Sequence, residues 1–132
     1  LVEAAYLVRQ GALALGTEAD DERAVLERGR TVEGDRFDRR LRVYTALREA
    51  GVVPKTGYKF GADFRTYAHV ESVSELSHSE LLVRVVPDDH AFAPRDLALD
   101  VRLAGGVRKR MVFALVGAGS DIAWLSAERL TP

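Results

Sequence analysis

The stretch Leu81-Leu82-Val83-Arg84-Val85-Val86-Pro87-Asp88-Asp89, followed by Pro94 to Gly106 and Arg110 to Val116, decides the fold class. Leu81 to Val86 is β-branched and largely apolar, the composition of a strand buried on most sides, and Pro87-Asp88-Asp89 breaks it. Pro94 suits the first turn of a helix whose Leu97, Val101 and Ala104 share one face, and Gly105-Gly106 ends that helix. A second apolar strand spans Arg110 to Val116. Gly117-Ala118-Gly119-Ser120-Asp121 then forms a hairpin-like connector rich in turn residues, and Ile122 to Ser126 is the last strand.

Upstream, Val52-Val53-Pro54 leads into Tyr58-Lys59-Phe60 and, after Gly61, into Asp63 to Tyr67, with the residue types of paired strands. Glu71, Ser72, Ser74, Glu75 and Ser77 mark a loop. Earlier still the spacing is helical. Val2 to Gln10 repeats apolar residues at a helical period and stops at Gly11. Glu18, Asp20, Asp21 and Glu22 suit the positive start of a second, short helix running to about Arg28. Gly34-Asp35 opens a third, in which Phe37, Leu41 and Tyr44 fall at i, i+4 and i+7, and Gly51 ends it. Three helices, a block of strands, one helix and two strands predict an α+β or α/β domain, a mixed β-sheet flanked by helices.

A chain of 132 residues, 47% hydrophobic and 30% charged, fits one main core and argues against disorder. No apolar run approaches the ~20 residues that span a bilayer, and a cytoplasmic location is the expectation. The absence of cysteine removes disulfides, thiol nucleophiles and thiolate zinc sites together. The net charge of −1 provides no global attraction to nucleic acid, so contacts must come from clusters: Arg39, Arg40 and Arg42, or Arg108, Lys109 and Arg110. Each cluster has an alternative reading as a solvated face. The chain starts at Leu1 in what reads as a helix interior, as expected of a piece of a longer protein.

From Tyr44, the string Y-T-A-L-R-E-A-G-V-V-P-K-T-G-Y-K-F-G-A-D-F-R-T-Y resembles the catalytic domain of archaeal tRNA intron endonucleases. His78-Ser79 ahead of Leu81 to Val85, and Val101 to Ala114, match that family's later signatures in order. The resemblance covers about residues 44 to 129. It implies a restriction-endonuclease-like catalytic domain over 44–132, with 1–43 as a helical segment. It also implies catalysis by Tyr67, His78 and Lys109, with neither cofactor nor metal.

The chemistry of those three side chains can be argued separately. When a ribose 2′-hydroxyl attacks its neighbouring phosphate, one group must take the hydroxyl proton and another must protonate the departing 5′-oxygen. Positive charge must also sit at the crowded phosphorus. His78, with a reference pKa of ~6.5, suits the general acid. Lys109 supplies a compact cation. A phenol with reference pKa ~10 is a base only beside a cation, and the base role of Tyr67 comes from the resemblance. Taken singly, a strand-end tyrosine, a histidine beside a serine and a lysine between arginines each read as packing or surface residues.

The resemblance further implies a precursor tRNA substrate with a bulge-helix-bulge at its exon and intron junctions. Arg102 matches an arginine that contacts a bulge base, and Trp124 stands where a second gripping residue, often arginine, is placed. Two junctions require two sites. Assembly with a second copy or a second endonuclease subunit is therefore implied, through the loop at Asp121 and edge pairing of the last strand. His69 and His90 read as surface residues. A rival metal nuclease would use Asp63 and Glu80, but no Glu-x-Lys follows Asp63, which reads as a backbone-bonding residue. A non-catalytic RNA-binding or architectural subunit is the alternative from another class.

Overall fold

The computed structural model describes residues 2–10, 18–58, 61–67, 80–106, 109–119 and 121–130. The chain divides into two compact units, Leu1–Ala46 and Leu47–Pro132. Among the described residues no helix is long and apolar enough to cross a membrane.

The first unit contains α1 (Val2–Arg9), α2 (Glu18–Glu33) and most of α3 (Asp35–Glu49). Val2, Ala5 and Val8 form the buried stripe of α1. On α3 the expected face is buried as Phe37, Leu41 and Tyr44, and Tyr44 meets Tyr6 edge-on with centroids 5.5 Å apart. α2 runs past the expected end at Arg28 to Glu33. Gly29 does not break it, because the missing side chain is the space that the Phe37 ring occupies. Termination falls to Gly34, whose φ of +67° suits glycine. Arg30 reaches across to Asp38 at 3.0 Å. The hydrogen bond that Arg30 donates to Asp38, and then the charge of Asp38, hold the arginine above its ordinary pKa. Buried Arg40 pairs with Glu33, so the Arg39, Arg40 and Arg42 cluster is partly structural and not simply a solvated or RNA-binding face.

The second unit is built on a five-stranded mixed sheet in the order β1-β2-β3-β4-β5. Its strands are β1 (Lys55–Thr56), β2 (Phe64–Tyr67), β3 (Glu80–Pro87), β4 (Arg110–Val116) and β5 (Ile122–Ala127). β3 and β4 are parallel, with α4 (Pro94–Gly106) as the crossover, and every other pairing is antiparallel. The two parallel strands hold the apolar runs because they lie inside the sheet. Leu82, Met111 and Phe113 pack with Ala104 of α4, each apolar side chain contributing about 1.5–3 kcal/mol on burial. Val83, Val112, Ala114 and Val116 alternate to the opposite face and are also buried.

The first strand is shorter than expected, and Tyr58 lies outside it; Lys59 and Phe60 are outside the described residues. The chain turns instead. Gly61 N bonds Tyr58 O at 3.1 Å and Ala62 N bonds Gly57 O at 3.0 Å. A Cβ on Gly57 would stand 2.8 Å from the Phe64 backbone carbon, so that approach requires glycine.

Candidate active site

Strand register brings two of the candidate residues, Tyr67 and Lys109, to one end of the sheet. Tyr67 is the last residue of β2 and pairs with Glu80, the first of β3. One step along, Leu81 pairs with Thr66 on one side and with Arg110 on the other. Lys109, immediately before Arg110, therefore stands one step beyond the β3–β4 ladder, level with Glu80. Its amide donates to the carbonyl of Ala104 at 2.8 Å, which fastens it to the last turns of α4. Two strand spacings of about 4.8 Å separate the β2 and β4 backbones, roughly 10 Å across this end. Lys109 is half-buried and Arg110 exposed. His78 and the loop around it, with His69, lie outside the described residues.

At the opposite end the charge is negative. Asp88 presses against Gly117, where any side chain would collide with its carboxylate, and the Asp88 amide donates to Val116 O at 3.1 Å. Asp88, Asp89 and Asp121 are exposed. The connector that carries only Asp121 in sequence thus has a second carboxylate against it. Sequence reading could not supply that neighbour, because Asp88 lies far away along the chain.

Arg102 is exposed on α4 and lines a groove of about 680 Å³ between that helix and the end of β5, together with Val101, Ala127 and Arg129. Trp124 is on the other side. It pairs with Ala114, whose side chain points away from the α4-covered face of Phe113 and Met111. Arg102 and Trp124 therefore flank opposite faces of the sheet. β5 is an edge strand, with Trp124 44% and Leu125 48% exposed. Exposed His90 sets its ring edge-on to Phe92 at 4.8 Å.

Among the residues the sequence did not single out are Lys55 and Arg65. They stand directly opposite one another on β1 and β2, and the signal was the pair of basic positions within the K-T-G to F-R-T-Y block.

Comparison with known proteins identifies the family. The model of the family described as tRNA intron endonuclease, catalytic C-terminal domain, matches residues 37–124. A tRNA-splicing endonuclease of Haloarcula marismortui is 71% identical over 133 residues, covering 100% of this chain and 39% of the relative. One from Haloferax volcanii is 67% identical over 132 residues, covering 100% of this chain and 38% of the relative. One from Methanosarcina mazei is 41% identical over 135 residues, covering 98% and 37%. The chain thus spans less than two-fifths of the length of these curated relatives. By the span and identity of these matches, the chain belongs to the tRNA intron endonuclease family, with residues 37–124 matching its catalytic C-terminal domain.

Proposed function

We propose that this domain cuts precursor tRNA at bulge-helix-bulge exon and intron junctions, without a metal. The observation that carries the reading is the level alignment of Tyr67, Glu80 and Lys109 at one end of the sheet, inside a chain of this family.

Tyr67, as phenolate, takes the proton of the junction 2′-hydroxyl. The freed oxygen attacks the adjacent phosphorus and forms the pentacoordinate phosphorane, whose added charge the Lys109 ammonium stabilises. The bond to the 5′-oxygen then breaks, and His78 as imidazolium donates the proton which that oxygen needs. The products are a 2′,3′-cyclic phosphate and a 5′-hydroxyl.

Arg102 contacts a bulge base with its guanidinium plane. The half-exposed indole of Trp124 stacks on a different nucleotide, since the two side chains flank opposite faces of the sheet. Assembly with a second copy or a second endonuclease subunit pairs the β5 edges. It also inserts the connector at Asp121, reinforced by Asp88, into a basic pocket of the partner. The full-length protein incubated with bulge-helix-bulge RNA in EDTA, with end-group analysis, tests the chemistry. Cleavage giving cyclic phosphate ends is expected, and loss of cleavage on chelation would discard the metal-free mechanism. Full activity of His78→Ala would overturn the residue assignment.

A further inference from the structure

The groove between α4 and the end of β5 opens beside the proposed cleavage end of the sheet. Its β5 wall includes Ala127, which pairs with Met111, two residues after Lys109 and about 7 Å along the chain. The next residue, Glu128, reaches Arg110 at 3.8 Å. The α4 wall carries Leu97 and Val101, one helical turn apart, and Arg102 beside them. Two residues beyond Arg102, the Ala104 carbonyl accepts the Lys109 amide. Both walls therefore run to the residue that meets the scissile phosphate in the reading above, and a strand held there has its neighbouring nucleotides within reach of the groove.

The lining says which part of a nucleotide enters. A volume of about 680 Å³ lies within the range of small-ligand pockets and admits a flat ring. Leu97, Val101 and Ala127 are half-buried, and such apolar walls suit the face of a base, not the oxygens of a phosphate. Glu128 also lines the groove; its carboxylate repels a phosphate but accepts from the amino group of a base edge. Arg102 on α4 and Arg129, two residues past the end of β5, are both exposed and stand one on each wall. A guanidinium plane stacks on an unpaired base. Trp124 has no part in this groove, because its pairing with Ala114 turns it to the other face of the sheet.

We infer that Arg129 is a positioning residue that grips an unpaired base of the precursor RNA in this groove, from the β5 side, while Arg102 contacts the same base from α4; this rests on the RNA-cleaving reading above. It touches the substrate away from the reacting atoms.

The test uses the full-length, assembled protein and a bulge-helix-bulge RNA whose junction riboses lack the 2′-hydroxyl, so that binding is read without cleavage. Each unpaired nucleotide is made abasic in turn. On the intact RNA, Arg129→Ala should weaken binding about 2- to 30-fold, the span of cation–π contacts from exposed to desolvated. Arg129→Lys should restore little of it, because the charge returns without the plane. At one abasic position the losses from Arg129→Ala and Arg102→Ala should both vanish, while the loss from Trp124→Ala persists there. Melting temperatures should not change, since Arg129 is exposed. Unchanged affinity of Arg129→Ala would overturn the assignment. So would a loss that survives at every abasic position, or one that Arg129→Lys restores, since either would mean a phosphate contact or a structural role. If the wild-type protein binds with this dependence on one base but does not cut the 2′-hydroxyl counterpart, the cleavage reading fails while the grip stands. If the wild-type protein does not bind, both fall.

Discussion

The carboxylate of Asp63 accepts the backbone amide of Val85 at 2.8 Å. A side chain from the turn before β2 thereby holds the middle of β3. The Asp63 backbone works alongside it, its amide donating to Val83 O at 3.0 Å and its carbonyl accepting from Gly57 N at 3.3 Å. One buried aspartate thus ties the short β1–β2 hairpin to the central strands, and its carboxylate is engaged in structure, as its reading as a backbone-bonding residue anticipated.

Asp63→Ala should lower stability by about 1–3 kcal/mol, since it removes the carboxylate acceptor and leaves a part-buried amide without one. Asp63→Asn retains an acceptor oxygen and should cost about half as much. Urea denaturation is the measurement, with the midpoint falling and the slope unchanged.

Gly29→Ala should destabilise by about 1–3 kcal/mol, because the added methyl overlaps the buried Phe37 ring. Gly105→Ala is the contrasting case. Nothing lies within 4 Å of a Cβ at that helical position, and the substitution should stabilise by up to about 1 kcal/mol through helix propensity. Thermal melts of the two variants should move in opposite directions.

Arg84 on β3 is paired with Asp100 on α4, and the aspartate side chain is 17% exposed. The ion pair pins the crossover helix over the sheet. Arg84→Ala should cost about 1–2 kcal/mol, less than a fully buried pair because the arginine is partly solvated. Asp100→Ala made in that background should cost less than it does alone. A double-mutant cycle in urea should give a coupling energy above about 0.5 kcal/mol.

Leu125→Asp puts a charge on the exposed edge strand β5. If β5 pairs between subunits, sedimentation of the full-length variant should show a smaller particle than the wild type. Because Leu125 is 48% exposed, stability of the separate domain should change by less than about 0.5 kcal/mol. An unchanged particle size would remove β5 from the assembly interface.

Most of the elements were legible in the sequence because their signals are local. The Phe37, Leu41 and Tyr44 stripe, the apolar runs of β3 and β4, and the bounds of α4 at Pro94 and Gly105-Gly106 each follow from side-chain period, burial or backbone restriction within a few residues. The long block around G-A-D-F-R-T-Y was enough to suggest the family. Where local signals competed, the tertiary contact decided. Gly29 stays helical because Phe37 needs its space, and the first strand shortens because Gly57 and Gly61 turn the chain. What no local pattern contains is register. Only long-range pairing of β2 with β3, and of β3 with β4, sets Tyr67 level with Glu80 and Lys109. The β1–β2 pairing opposes Lys55 to Arg65, the β3–β4 pairing lays Asp88 on Gly117, and the β4–β5 pairing turns Trp124 to the face away from α4. Residues distant along the chain become neighbours only when the sheet closes, and the geometry of the candidate site is a property of that closure.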